Sequence, residues 1–233
     1  MIRRVLCMVV VLLALLPGVH PAAQASGEVE AVSKPSADVT LSFVKGGRVV
    51  EVRVVEGSTV SAGALLARQD DQMAMAELAQ TKVDLKRFEE AKTKGAATEW
   101  ETEHTRLKLD QLKIEVELMR LESPLTGRVE EVGIETGEAA QPLTPVIRVV
   151  KTDPLWIDVP VPLAQARGLR PYGTARVTFP GKRQAAGRIV HVSSVADAAS
   201  GTLRVRVELP NPSRRPAGEH VTVSFGEGRG GGR

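Results

Sequence analysis

Three histidines lie beyond the first 25 residues, His104, His191 and His220. Brought together they could ligate zinc or copper. They are spread over three segments without the short spacing of a metal site, which reads as surface or seam positions. Met73, Met75 and Met119 could serve a soft metal, but core and seam packing is the simpler reading. Cys7 is the only cysteine and stands before the first apolar run, so the chain after it offers no disulfide, thiolate ligand or thiol nucleophile. No Gly-x-x-x-x-Gly-Lys-Ser/Thr loop is present to cradle phosphates, and no Gly-x-Ser-x-Gly elbow to present a nucleophile. Eleven of the 28 carboxylates fall on the predicted helices, as solvated faces. The residues thus predict no catalytic, cofactor-binding or metal site, and a protein that is not an enzyme.

What remains is a scaffold. Arg3 and Arg4 precede an apolar run over 9–16 and a small-x-small site at Ala23-Gln24-Ala25. This is the pattern of a secretory signal peptide over 1–25, with an apolar run too short to span a bilayer. Without it Lys plus Arg falls from 31 to 29 while Asp plus Glu stays at 28, a net charge of +1. With aromatics at 3 %, this argues against a nucleic-acid partner, whether bound by charge or by base stacking. No later stretch is apolar enough for a membrane span, so at most peripheral membrane association is expected.

One motif occurs twice. Gly47, Val49, Val52, Val54 and Gly57 return 80 residues later as Gly127, Val129, Val132, Ile134 and Gly137. Apolar residues in strand phase, bracketed by glycines that suit turns, predict the same β unit in two copies. Before the first copy, Val39, Leu41 and Phe43 alternate as a strand, and 26–36 reads as a flexible lead-in.

Between the copies the period is helical. Asp70 or Asp71 can cap a helix over about 72–93, stopped by Gly95. Thr98-Glu-Trp-Glu101 has the capping-box pattern and starts a second helix, expected to run to about 122. The short connection predicts an antiparallel pair. Steps of four and three place Ala74, Leu78, Thr81, Leu85 and Phe88 on one seam. They predict a facing seam of Trp100, His104, Leu107, Gln111, Ile114, Leu118 and Leu121. A second stripe, Leu109, Leu112, Val116 and Met119, could meet a neighbouring copy or partner, but its place toward the β-domain end favours packing of the hairpin base onto the β domain.

From 153 onward short alternating runs recur around Leu155, Val177, Val205 and Val223, separated by Gly and Pro turns. They predict a small antiparallel barrel. The Gly- and Arg-rich 227–233 reads as a disordered tail.

Each β copy resembles half of a biotinyl/lipoyl carrier domain, with a helical hairpin where a carrier lysine would stand. A split lipoyl-like domain with this insertion resembles the periplasmic adaptor subunits, or membrane fusion proteins, of the HlyD-like family that includes RND efflux adaptors. Leu121-Glu-Ser-Pro124-Leu-Thr-Gly127-Arg-Val129, Asp153-Pro154-Leu155-Trp156-Ile157 and Ala199-Ser-Gly201-Thr202-Leu-Arg204 look like family segments in family order. The resemblance implies a mostly β fold with an α-helical hairpin. The divisions are a signal peptide (1–25), N-terminal segment and first strand (26–45), first lipoyl half (46–70), hairpin (71–122), second lipoyl half (123–150), β-barrel (151–226) and tail (227–233). It also implies a periplasmic, self-oligomerising scaffold or conduit. Such a scaffold couples an inner-membrane transporter to an outer-membrane channel for efflux or secretion, with no cofactor. The family's channel-contacting tip carries an Arg, then a Leu, then a Ser; the matching positions here are Arg87, Ala91 and Thr98. The alternative class is a soluble periplasmic binding module, for example for a metal, that reuses this scaffold.

Overall fold

A computed structural model describes residues 27–226. The expected signal peptide and the 227–233 tail lie outside the described residues. In chain order the elements are β1 (Glu28–Ser42), β2 (Gly47–Val52), β3 (Thr59–Val60), β4 (Leu65–Gln69), α1 (Gln72–Thr93), α2 (Glu99–Leu118), β5 (Arg120–Glu122), β6 (Gly127–Val132), β7 (Ala139–Ala140), β8 (Pro145–Pro162), α3 (Leu163–Ala166), β9 (Thr174–Thr178), β10 (Gln184–Asp197), β11 (Thr202–Leu209) and β12 (His220–Phe225). The fold is mostly β with a helical hairpin.

The repeat in sequence is a repeat in hydrogen bonding. β2 pairs β4 with Val49 opposite Gln69 and Val52 opposite Ala67. β6 pairs β8 with Val129 opposite Val149 and Val132 opposite Ile147, the same register 80 residues on. The halves then clasp each other. Gly47 pairs Ala140 of the second half, and Gly127 pairs Val60 of the first. The Gly57 amide donates to the Val129 carbonyl and the Gly137 amide to the Val49 carbonyl, both at 2.8 Å. Gly57 (φ 86°) and Gly137 (φ 101°) turn the chain in a region that side-chain-bearing residues seldom adopt. Val49, Val129, Leu66 and Ile147 meet in one shared core. Neither half could bury these residues alone, so the two copies form one lipoyl-like module.

The second β module is a closed barrel. Around it run β1, β12, β9, β10, β11 and β8, with β8 returning to pair β1. Its core holds Leu155, Ile157, Val159, Val177, Ile189, Val205 and Val207. Two expectations change here. Residues 28–36 are not a flexible lead-in: 28–32 pair with β12 and close the barrel. Val29, Ala31 and Ser33 point inward between outward glutamates, and the buried Ser33 hydroxyl accepts from the Glu219 amide at 3.1 Å. β10 is also missing from the predicted runs, because its inward positions begin with Ala185 and Gly187 and a register irregularity between Ile189 and His191 breaks the alternation. Gly187 packs so closely that a Cβ there would lie 2.5 Å from Val207 Cγ1.

β1 and β8 are 15 and 18 residues long and run through both modules. They pair with each other on the lipoyl side, Val39 opposite Val149, and on the barrel side, Pro35 opposite Leu155. A register irregularity between Pro35 and Ala37 marks the crossing. A continuous two-stranded ribbon thus carries one module on the other, and the hairpin projects from the β4–β5 edge.

Candidate functional site on the helical hairpin

The hairpin is held at both ends by local chemistry. At the tip α1 stops in a Schellman turn. Gly95 (φ 70°) donates to the Lys92 carbonyl at 3.0 Å and Ala96 to the Ala91 carbonyl at 2.8 Å. α2 begins on a complete capping box. The Thr98 hydroxyl accepts from the Glu101 amide at 3.2 Å, and the Glu101 carboxylate accepts from the Thr98 amide at 2.8 Å. The Thr98 amide and hydroxyl hold the Glu101 carboxyl below the ordinary glutamate range. At the base Arg68 bridges Glu51 (3.3 Å) and Asp71 (2.7 Å), Arg48 pairs Asp70 (2.7 Å), and Lys45 reaches Glu115 on α2 (2.9 Å). The Arg48 guanidinium and the Gln72 amide hold Asp70 below its usual pKa. Asp71 occupies the cap position of α1, but its carboxylate goes to Arg68 rather than to the helix amides.

The residues matched to the family tip are differently employed. Arg87 is exposed, with only Asp84 near it at 3.7 Å. Ala91 is half-buried, and its carbonyl takes the Lys94 and Ala96 amides. The Thr98 hydroxyl is occupied as the cap, giving its own proton to Glu101 at 2.7 Å.

The seam between the helices departs from expectation on one side. α1 turns Ala74, Leu78, Thr81, Leu85 and Phe88 inward, as its spacing predicted. α2 does the reverse. Its inward stripe is Thr102, Thr105, Leu109, Leu112, Val116 and Met119, buried or half-buried, while Trp100, His104, Leu107, Gln111 and Ile114 face outward. Leu121 leaves the helix altogether: α2 ends at Leu118, and 120–122 pairs with β4, placing Leu121 in the lipoyl-like core. The stripe assigned to the hairpin base is therefore the interhelical seam. The reason lies in the threonines. Thr102 and Thr105 donate their hydroxyls to carbonyls one turn back, Thr98 at 3.2 Å and Glu101 at 2.8 Å. With the hydroxyl satisfied, such a residue can be buried. They extend the seam upstream with unbroken three-four steps. The rejected stripe carries His104 and Gln111, which have no such local partner.

The outward face of α2 is an unpartnered apolar stripe. Trp100, Leu107 and Ile114 are 72, 56 and 57 % exposed. Seven residues apart, they lie within about 40° of one another around the helix and span roughly 21 Å. His104 stacks on Trp100, ring centroids 5.1 Å apart and planes 9° from parallel. The ion pairs Arg106–Glu89 (3.0 Å) and Lys108–Glu77 (2.9 Å) tie the two helices together. Counted from the hairpin base, where α1 begins at Gln72 and α2 ends at Leu118, Val83 and Leu107 each stand eleven residues up and Ala76 and Ile114 each four, with Val83 and Ala76 exposed on the outer face of α1. The hairpin has an apolar outer face on each helix, at matching heights. Among the described residues no group of three or more His, Cys, Asp or Glu stands close enough to hold a metal, and no helix is long and apolar enough to cross a membrane.

The comparisons with known proteins agree with this architecture. Residues 154–228 match the model of the CusB-like, beta-barrel domain family. No curated protein matches the chain significantly. Among solved structures, a chimeric MacA-MexA protein containing the Pseudomonas aeruginosa MexA alpha-hairpin domain is 16 % identical. It has a TM-score of 0.68 over 86 % of this chain and 80 % of that one. The membrane fusion protein Spr0693 from Streptococcus pneumoniae is 14 % identical, with a TM-score of 0.63 over 86 and 98 %. ZneB from Cupriavidus metallidurans is 19 % identical, with a TM-score of 0.56 over 85 and 69 %. The chain thus has the fold of the membrane fusion, or periplasmic adaptor, proteins, and its barrel segment matches the CusB-like, beta-barrel domain.

Proposed function

We propose that this chain is a periplasmic adaptor for efflux or secretion, coupling an inner-membrane transporter to an outer-membrane channel as an oligomeric scaffold or conduit. The carrying observation is the outward stripe on α2. Exposed Trp, Leu and Ile at heptad spacing form a coiled-coil seam without its second helix. The α1 face of a second copy fits it. Val83 and Ala76 stand at the heights of Leu107 and Ile114, and Arg87 stands near the height of Glu103, so apolar meets apolar and cation meets carboxylate. Repeating this contact places hairpins side by side, with the tips, and Arg87 near them, at one end. The clamp of Arg48, Arg68 and Lys45 roots each hairpin in its lipoyl-like module, so a displacement of the β modules moves the tip. The role asks no bond chemistry of this chain; the transporter supplies the energy.

Native mass spectrometry of the exported chain, alone and with candidate inner-membrane transporters and outer-membrane channels from the same cell, tests this reading. Oligomers that incorporate the transporter are expected. A chain that stays monomeric and binds neither transporter nor channel sinks it.

A further inference from the structure

The surface between the two β modules has its own chemistry. A cleft of about 500 Å³ opens there, bordered by the start of β6, the middle of β8 and the β11–β12 connection. Arg128, Lys151 and Arg214 enter it from these three segments. Among the described residues none of the three is in an ion pair. Arg215 also lines the cleft but is spoken for: it lies 3.6 Å from Glu219 and stacks on Phe179 at 4.2 Å. The lining carboxylates are Glu130 and Asp153. Asp153 is in use, its Oδ1 accepting from the Asn211 amide at 2.8 Å. With Arg215 balanced by Glu219, three cations against two carboxylates leave the walls net positive by one.

The wall that carries Arg214 is built rather than loose. Asn211 is buried, and its side chain closes a ring of bonds. Its Nδ2 donates to the Thr152 and Arg215 carbonyls, each at 2.9 Å, and its Oδ1 accepts from the Arg215 amide at 2.9 Å. The Arg214 amide donates to the Asn211 carbonyl at 3.0 Å. This turn holds Arg214 at φ 52°, a conformation a bulky residue adopts at some cost. Across the cleft, Thr126 uses its hydroxyl oxygen to accept from the Ala62 amide at 3.1 Å, which leaves its proton free to donate inward. Two guanidiniums, an ammonium and a hydroxyl line the cleft beside the Glu130 and Asp153 carboxylates, so donors outnumber acceptors. Guanidinium donors match the oxygens of a phosphoryl group in pairs.

We infer that this cleft binds a phosphoryl group, held by Arg128, Lys151 and Arg214. The inference stands apart from the adaptor reading, since it needs neither oligomer nor transporter. Either a soluble phosphorylated compound or a phospholipid headgroup could supply the group. The test is calorimetric titration of the purified chain with pyrophosphate, beside flotation with vesicles of phosphatidylcholine with and without phosphatidylglycerol. Arg128→Gln and Arg214→Gln should each weaken binding about tenfold, the loss of one charge-assisted contact. Arg167→Gln, at the opposite end of the barrel, should change nothing. Thermal melting of each variant should match wild type, because both arginines are exposed and unpaired. Binding of pyrophosphate alone assigns a soluble ligand, and arginine-dependent binding of the anionic vesicles assigns a headgroup. No binding of either probe, or equal weakening by Arg167→Gln, overturns the inference.

Discussion

The reversal of the α2 seam makes a sharp prediction about two leucines on one helix. Leu109 is buried against α1, whereas Leu107, two residues away, is more than half exposed. Truncating Leu109 to alanine removes a buried side chain and leaves a gap between two helices held by local caps. That costs about 2–4 kcal/mol. Truncating Leu107 forfeits less than half of a full transfer term, below about 1 kcal/mol. For a chain of this size about 3 kcal/mol corresponds to a Tm lower by roughly 6–12 °C. Far-UV circular dichroism at low protein concentration, where copies are apart, reads both variants against urea and heat. The account expects Leu109→Ala to lower stability severalfold more than Leu107→Ala. At high concentration Leu107→Ala, with Ile114→Ala, should weaken self-association while leaving helicity intact. Equal destabilisation by the two truncations, or a larger loss from Leu107→Ala, refutes the seam assignment and the free outer face with it.

Other outcomes follow from single residues. Thr98→Ala removes the capping box and should cost about 1 kcal/mol, with Thr98→Ser restoring most of it, read as urea midpoint. Because the folded Glu101 carboxyl titrates below its unfolded value, its part of that cap is present at neutral pH. It is lost as pH falls through the lowered pKa, so the Thr98→Ala deficit should shrink in acid. Gly187→Ala forces a Cβ against Val207 in the barrel and should lower stability by about 1–3 kcal/mol in a thermal melt. Arg206 holds Asp158 by two bonds, 2.7 and 3.0 Å, and depresses its pKa, a contribution present above the ordinary aspartate range and lost as pH falls below it. Arg206→Gln should therefore flatten the acid limb of the stability–pH curve, followed by circular dichroism.

The lipoyl-like module was legible because its logic is written twice. The 80-residue offset that aligns Gly47 with Gly127 in sequence aligns their ladder partners in space. The hairpin was legible from its punctuation, Gly95 and Thr98, which are chemical necessities of helix ends. The α2 seam was not. Two stripes shared the same step, and polarity pointed to the wrong one, because a threonine that bonds its own helix counts as apolar in packing. The barrel lost β10 and the start of β1 for a related reason. Ser33, Ala31 and Gly187 face its interior, and small inward residues give little hydrophobic alternation to read. The cleft basic residues carry no motif at all. Arg128 and Lys151 are brought together by the β6–β8 pairing, Arg128 opposite Val150, and Arg214 joins them through the Asn211 turn.

Side-by-side assembly through the outer hairpin faces is the central claim, and the chain suits a direct measurement of it. Its only cysteine, Cys7, lies within the expected signal peptide, so introduced cysteines report alone. Val83→Cys and Leu107→Cys in one chain put the two thiols on opposite outer faces of the same hairpin, out of each other's reach. Mild oxidation of the exported double variant should give a ladder of covalent oligomers on a non-reducing gel, with each single variant giving dimers at most. A double variant that stays monomeric at concentrations where the wild type is oligomeric contradicts the account.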